Sequence, residues 1–204
     1  IEVHENEEVQ ISVDRIIGNN KRFSLTPKNV VHELERGDII HIDFDTAIFQ
    51  VTDVSTINKG YIKTRVVSGG ILGKNKAVVV DRACSRPLKL PTLSKKDYES
   101  IKVGLEKRVS FIALSFARSG KDIVEVRKAT QNTMQIISKI ECIDALENLD
   151  EIISKSDYLL IDRGDLSKEI PIEKIPFTQK IILDKAKKKN VGVFVATNLL
   201  ETMI

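Results

Sequence analysis

The sequence predicts an α/β protein in two parts, a β-rich stretch over residues 1–86 followed by alternating strands and helices over residues 87–204. Three observations carry this. Short runs of alternating apolar and polar residues, separated by turn sequences, fill the first part. A capping signature then opens the first stretch of helical periodicity, at Ser94 and Asp97. From there, short apolar strands are each followed by a helix-length segment, the signature of parallel βα units.

In the first part, Val9, Ile11 and Val13 alternate with polar residues, as do Ile40, Ile42 and Phe44. Residues 48–54, 61–67 and 77–80 are further strands. Gly18-Asn19-Asn20, Arg36-Gly37-Asp38, Asn58-Lys59-Gly60 and Ser68-Gly69-Gly70 supply turns between them. The expectation is a small antiparallel sandwich or barrel. In the second part, Tyr98, Ile101 and Leu105 recur at helical spacing. Strands are then expected at 111–115, 136–140, 158–161 and 191–196. The helices between them are expected at 121–132, 144–154 and 177–189, the last entered through Pro176.

Composition narrows the function classes. Of 204 residues, 42% are hydrophobic, enough for a packed core. The formal net charge of +3 is not the basic footprint of a nucleic-acid binder. The lysines at 185, 187, 188 and 189 are read as complements to a helix C-terminus. No run approaches the ~18 apolar residues that span a membrane. Two cysteines, Cys84 and Cys142, form no disulfide framework and suit a reducing, cytoplasmic setting. His4, His32 and His41 show no ligand spacing and read as structural, and Cys142 reads as a packing residue. The first residues carry no initiator Met and are strand-like, so the chain is expected to begin inside a longer protein.

In parallel α/β folds the active site lies at the carboxyl ends of the strands. Each of the four predicted strands ends in residues with usable chemistry: Ser115 with Arg118 beyond it, Lys139 with Glu141, Arg163-Gly164-Asp165, and Thr197. Lys139 and Glu141 are two apart and so share a face of a strand. They suit an anionic substrate held by a divalent cation, or else a structural ion pair. Asp165 is the natural second carboxylate, unless Arg163-Gly164-Asp165 is an ordinary turn. A helical turn beginning there would aim N–H groups at a substrate carboxylate. Thr197 would position a proton relay or cap the next helix.

Several segments together resemble pyruvate kinase. They are Phe111-Ile-Ala-Leu-Ser-Phe-Ala-Arg118, Ile136-Ile-Ser-Lys-Ile-Glu141, Glu147-Asn-Leu-Asp-Glu-Ile152, Arg163-Gly-Asp-Leu166 with Glu169-Ile-Pro171, and Ala196-Thr-Asn-Leu-Leu-Glu-Thr-Met203. The resemblance implies a partial (β/α)8 TIM barrel of about four parallel strands, preceded by a small β-barrel lid domain. It implies phosphoryl transfer from phosphoenolpyruvate to ADP, giving pyruvate and ATP in glycolysis. Glu141 and Asp165 match the carboxylates that hold Mg2+ or Mn2+. Lys139 matches the lysine facing the transferring phosphoryl group and the enolate, and Thr197 the threonine on its proton-transfer side. Ser115, Arg118, Arg163, Gly164 and Asp165 match substrate-binding or supporting positions. Lys76, after the loosely matching turn Gly69-Gly-Ile-Leu-Gly73, matches a lid lysine that approaches the nucleotide.

The departures are also specific. Asp162 stands where the family usually has Ala, and Ser167 where it has Gly; Asn198-Leu199 replaces Gln-Met. Asp43-Phe44-Asp45 replaces the lid's Asp-Asp-Gly, and Val79-Val80-Asp81-Arg82 stands in place of Asn-Leu-Pro-Gly. The Arg-x-Asn-x-Ser segment of the family's monovalent-cation site does not occur. Neither do the other barrel strands and the C-terminal regulatory domain. Missing barrel segments or a partner chain are therefore expected to complete the sheet, and a homo-oligomer is compatible. Two alternatives stand beside the kinase reading: a non-catalytic binding or assembly module, and a metal-dependent lyase or aldolase acting on a pyruvate enolate.

Overall fold

The computed structural model describes residues 1–43, 45–81 and 88–196. The chain divides into two compact units, residues 1–90 and 91–204.

The first unit is built from β1 (Glu2–Val3), β2 (Glu8–Ser12), β3 (Arg22–Ser24), α1 (Val30–Glu33), β4 (Ile39–Ile42), β5 (Ala47–Asp53), β6 (Tyr61–Ser68), β7 (Gly70–Ile71) and β8 (Val78–Asp81). Six strands form one sheet in the order β3-β2-β6-β5-β4-β8, and β1 pairs with β7. Every pairing is antiparallel except β2 with β3. The sheet curls steeply. Strands three places apart lie about 14 Å apart in a flat sheet, yet the rings of Phe23 in β3 and Phe49 in β5 sit 5.3 Å apart. Val9, Ile11, Ile40, Phe49 and Ile62 share the core on the inside of that curl. β3 was not evident in the sequence because its three residues are too few to show a period. Gly70 is required sterically: a Cβ there would lie 1.9 Å from the Thr46 carbonyl oxygen.

The second unit contains α2 (Lys95–Glu106), β9 (Phe111–Leu114), α3 (Gly120–Ala129), β10 (Gln135–Ile140), α4 (Ile143–Glu147), α5 (Leu149–Lys155), β11 (Tyr158–Asp162), α6 (Arg163–Leu166), α7 (Ile175–Lys188) and β12 (Gly192–Ala196). Four strands form a sheet in the order β9-β10-β11-β12, parallel throughout. Ser94 opens α2 with a reciprocal capping box to Asp97, as its spacing predicts. One helix was expected over 144–154; there are two, meeting at Asn148. The Asn148 side-chain amide donates to the Arg118 and Asp144 carbonyls, a local competitor to continued helix.

Alternation along the strands sorts the side chains. Ile136, Ser138, Ile140, Leu159 and Ile161 are fully buried on one face. There they join Ile123, Val126, Ile152 and Ile182 of the helices in one core. The opposite parity carries Phe111, Ile137, Lys139, Tyr158, Leu160, Asp162 and Phe194. Phe111, Tyr158 and Phe194 form a tilted aromatic row across that face, with centroids 6.1 and 5.8 Å apart.

The turn from β9 into α3 is fixed by two carboxylates. Buried Asp122 accepts the Arg118 and Ser119 N–H groups at 2.8 and 2.9 Å and the Thr92 hydroxyl at 2.6 Å. Glu151 of α5 accepts the Gly120 N–H at 3.0 Å. A Cβ at Gly120 would meet the Glu151 side chain at 2.7 Å, so glycine admits that contact. These bonds satisfy donors that a helix N-terminus otherwise leaves open. Asp122→Ala is expected to cost about 2 kcal/mol or more, read from the denaturant midpoint. The Gly120 N–H holds the Glu151 carboxyl below its ordinary 4.5, with Lys155 adding to this. Its contribution is therefore present above pH 4.5 and is lost as pH falls through the lowered value. Glu151→Ala is expected to lower the melting temperature at pH 7, with the gap to wild type narrowing in acid.

Candidate functional site

The carboxyl ends of β9, β10 and β11 bring four candidate groups together. Ile140 pairs with Ile161, so Glu141, one residue on, comes level with Asp162 on the neighbouring strand. Lys139 and Glu141 share a face, as their spacing requires, and their charged ends form an ion pair. Lys139 Nζ also lies 3.4 Å from Asp162 Oδ2 and 3.5 Å from Ser115 Oγ, just past β9.

Glu141 is almost wholly buried. Burying a carboxylate is tolerable only when it is paired and hydrogen-bonded. Both conditions are met: Lys139 takes one oxygen, and the other accepts the Phe116 N–H at 2.7 Å. Phe116 reaches it with φ at 50°, in the left-handed region that bulky residues rarely adopt. Burial nevertheless pushes the Glu141 carboxyl above its ordinary range, against the lowering effect of Lys139 and the Phe116 N–H. For Lys139, burial lowers the ammonium, but Glu141 and Asp162 outweigh it and the net direction is upward.

Asp165 lies in α6, which begins directly where β11 ends. The expected helical turn is present, but the Asp165 N–H is directed to Asp162 Oδ1 at 3.4 Å and so is already engaged. The Asp165 carboxylate is paired with Lys168 at 2.5 Å. One oxygen each from Glu141, Asp162 and Asp165 lie within 4.8 Å of one another. Two of them, Glu141 and Asp165, are enough for a hard divalent cation such as Mg2+ or Mn2+, which takes one or two protein carboxylates and fills its other positions with water and substrate oxygens, while Asp162 Oδ2 lies against Lys139.

The other predicted residues are placed differently. Arg118 Nη2 donates to the Pro91 carbonyl at 3.3 Å and lies 3.9 Å from Asp122, employment that secures the turn into α3. Arg163 and Gly164 form the first turn of α6, with the Arg163 Nε buried and lacking a hydrogen-bond partner among the described residues. Lys76 belongs to the first unit, where it pairs with Asp43 at 2.7 Å. Thr197, like Asn198 and Leu199, lies outside the described residues. Cys142 is buried, and burial pushes its thiol up to about 12, consistent with packing rather than nucleophilic use.

Sequence reasoning missed the parts played by Asp162 and Lys168. The signal for Asp162 was its parity: it follows Tyr158 and Leu160 on the face that carries Lys139. Lys168 stands three residues after Asp165, the spacing that brings side chains together on a helical turn.

Fold and site define an α/β protein whose lysine and carboxylates converge at the carboxyl ends of parallel strands. The family model "Pyruvate kinase, barrel domain" matches residues 1–204. A pyruvate kinase of Sporosarcina psychrophila is 33% identical over 207 aligned residues, covering 100% of this chain and 35% of the relative. A pyruvate kinase of Bacillus licheniformis is 34% identical with the same coverage. Plastidial pyruvate kinase 2 of Arabidopsis thaliana is 33% identical, covering 97% of this chain and 34% of that relative. The chain belongs to the pyruvate kinase family, and it spans about a third of the length of these curated relatives.

The left-handed turn at Phe116 can be tested directly. Glycine adopts this conformation without the Cβ penalty. Phe116→Gly is expected to leave stability unchanged or raise it by up to about 1 kcal/mol, measured by equilibrium denaturation.

Proposed function

We propose that this chain carries the cation- and phosphoenolpyruvate-binding side of a pyruvate kinase, transferring a phosphoryl group to ADP to give pyruvate and ATP. The observation that carries the reading is the meeting of Lys139, Glu141 and Asp165 beside one another at the carboxyl ends of β10 and β11. Glu141 and Asp165 would hold Mg2+ or Mn2+, which when bound supplies positive charge against the substrate's oxygens. Lys139 directs its ammonium to the same place, where it would face the phosphoryl group and the developing enolate. Ser115 supports the ammonium from β9. Arg163 and Gly164 would lie along the substrate carboxylate, and Thr197 would serve on the proton-transfer side. Phosphoryl transfer depends mainly on positioning and electrostatics, so a fixed lysine beside fixed carboxylates is an apt apparatus.

The proposed domain arrangement follows the same reading. Residues 87–204 would be about four strands of a (β/α)8 barrel, and residues 1–86 a lid, with Lys76 approaching the nucleotide. Support for the barrel comes from the aromatic row. Phe111 and Phe194 stay about half exposed on the face that a closed barrel would fill with side chains. About 250 residues are typical of such a barrel, and further strands would cover this face and the β9 and β12 edges. The setting is taken as cytoplasmic. No helix among the described residues is long and apolar enough to cross a membrane.

The test is Glu141→Gln in the complete protein that carries this chain. Mn2+ binding, followed by electron paramagnetic resonance, is expected to be lost, and turnover to fall by at least about a hundredfold. Wild-type Mn2+ affinity and turnover in that variant would refute the assignment.

A further inference from the structure

We propose that Asp162 is an internal counter-anion that occupies Lys139 and sets how tightly the site takes an anionic ligand. The proposal rests on the reading of Lys139 as the anion-facing group.

A lysine ammonium has three N–H donors and no acceptor. Around Lys139 Nζ stand three acceptors: Glu141 in the ion pair, Asp162 Oδ2 at 3.4 Å and Ser115 Oγ at 3.5 Å. The ammonium thus has two carboxylates and a hydroxyl around it before any ligand arrives. An incoming phosphoryl or carboxylate oxygen must displace one of them. Glu141 is the hardest to move, because its carboxylate is buried and tied on its other side to the Phe116 N–H. Ser115 is neutral and offers little competition. Asp162 is charged, more distant than Glu141, and 15% exposed, so it is the group that yields.

Its position makes this competition inherent in the fold. Asp162 is the last residue of β11 and also the N-cap of α6. Its backbone is therefore held from both sides, while its carboxylate faces the lysine of the neighbouring strand. A fixed negative charge at that point repels any anion aimed at Lys139, over and above the competition for N–H donors. Without Asp162, Lys139 would present an open donor.

The experiment measures binding of inorganic phosphate by isothermal titration to the complete protein that carries this chain, in wild type, Asp162→Asn, Asp162→Ala and Lys139→Met. Asp162→Asn removes the charge while keeping an oxygen that caps α6, so it guards against a folding defect in Asp162→Ala. Both Asp162 variants are expected to bind phosphate at least about tenfold more tightly, the scale of one charge-assisted hydrogen bond. Lys139→Met is expected to abolish binding. Mn2+ affinity without phosphate is measured alongside and is expected to change less than about threefold in Asp162→Asn. Unchanged or weaker phosphate binding in Asp162→Asn would overturn the proposal. So would a tenfold loss of Mn2+ affinity, which would make Asp162 a cation ligand instead. If Lys139→Met binds phosphate like wild type, the reading of the site itself has failed.

Discussion

The second unit is organised around one costly act, the burial of the Glu141 carboxylate. A charge removed from water needs a partner and donors in the right places. Each feature near it can be understood as meeting that need. The parallel register of β10 and β11 sets Lys139, Glu141 and Asp162 beside one another. The turn after β9 takes a left-handed conformation at Phe116 and thereby points an N–H at Glu141. Backbone strain of that kind persists only where its surroundings fix it. Here β9, paired along its length with β10, on one side and the Asp122-capped α3 on the other hold the turn in place.

The same arrangement governs how charge is held at this end of the sheet. A lysine held between carboxylates keeps its charge despite burial, since paired anions outweigh desolvation. Burial raises the Glu141 carboxyl even with Lys139 and the Phe116 N–H beside it. The Asp165–Lys168 pair extends the pattern one turn into α6. Positive and negative groups alternate across the cluster, so either a cation or an anion entering it must rearrange existing pairs.

Much of this was legible in the sequence, for definite reasons. The βα alternation is strong because each strand is a short apolar run with a helix of clear period after it. The Ser94–Asp97 cap could be read from spacing alone. Lys139 and Glu141 could be placed on one face because strand parity is strict. What escaped reading depended on contacts distant in sequence. Asn148 breaks a helix by reaching the carbonyl of Arg118, thirty residues away, and no local pattern announces that. Arg118 was placed just past β9, but the lie of its guanidinium against Asp122 and the Pro91 carbonyl depends on contacts that no local pattern announces. Asp162 was visible as an unusual residue, but its partner could be named only when two strands were laid side by side.

The exposed aromatic row bears on the chemistry as well as on the fold. Phe111 and Tyr158 open their strands, Phe194 stands mid-strand level with Leu160 and Lys139, and Glu141 and Asp162 lie at the carboxyl ends of the same face. Apolar side chains therefore stand beside and below the charged cluster on one face. Electrostatic interactions strengthen as water is excluded. A sheet left open on this face would let solvent reach Lys139 and weaken its hold on an anion. Closing the face by further strands would bury the aromatic row and dry the floor of the site at once. With that face closed, packing of the apolar row would set the dielectric around the charged cluster.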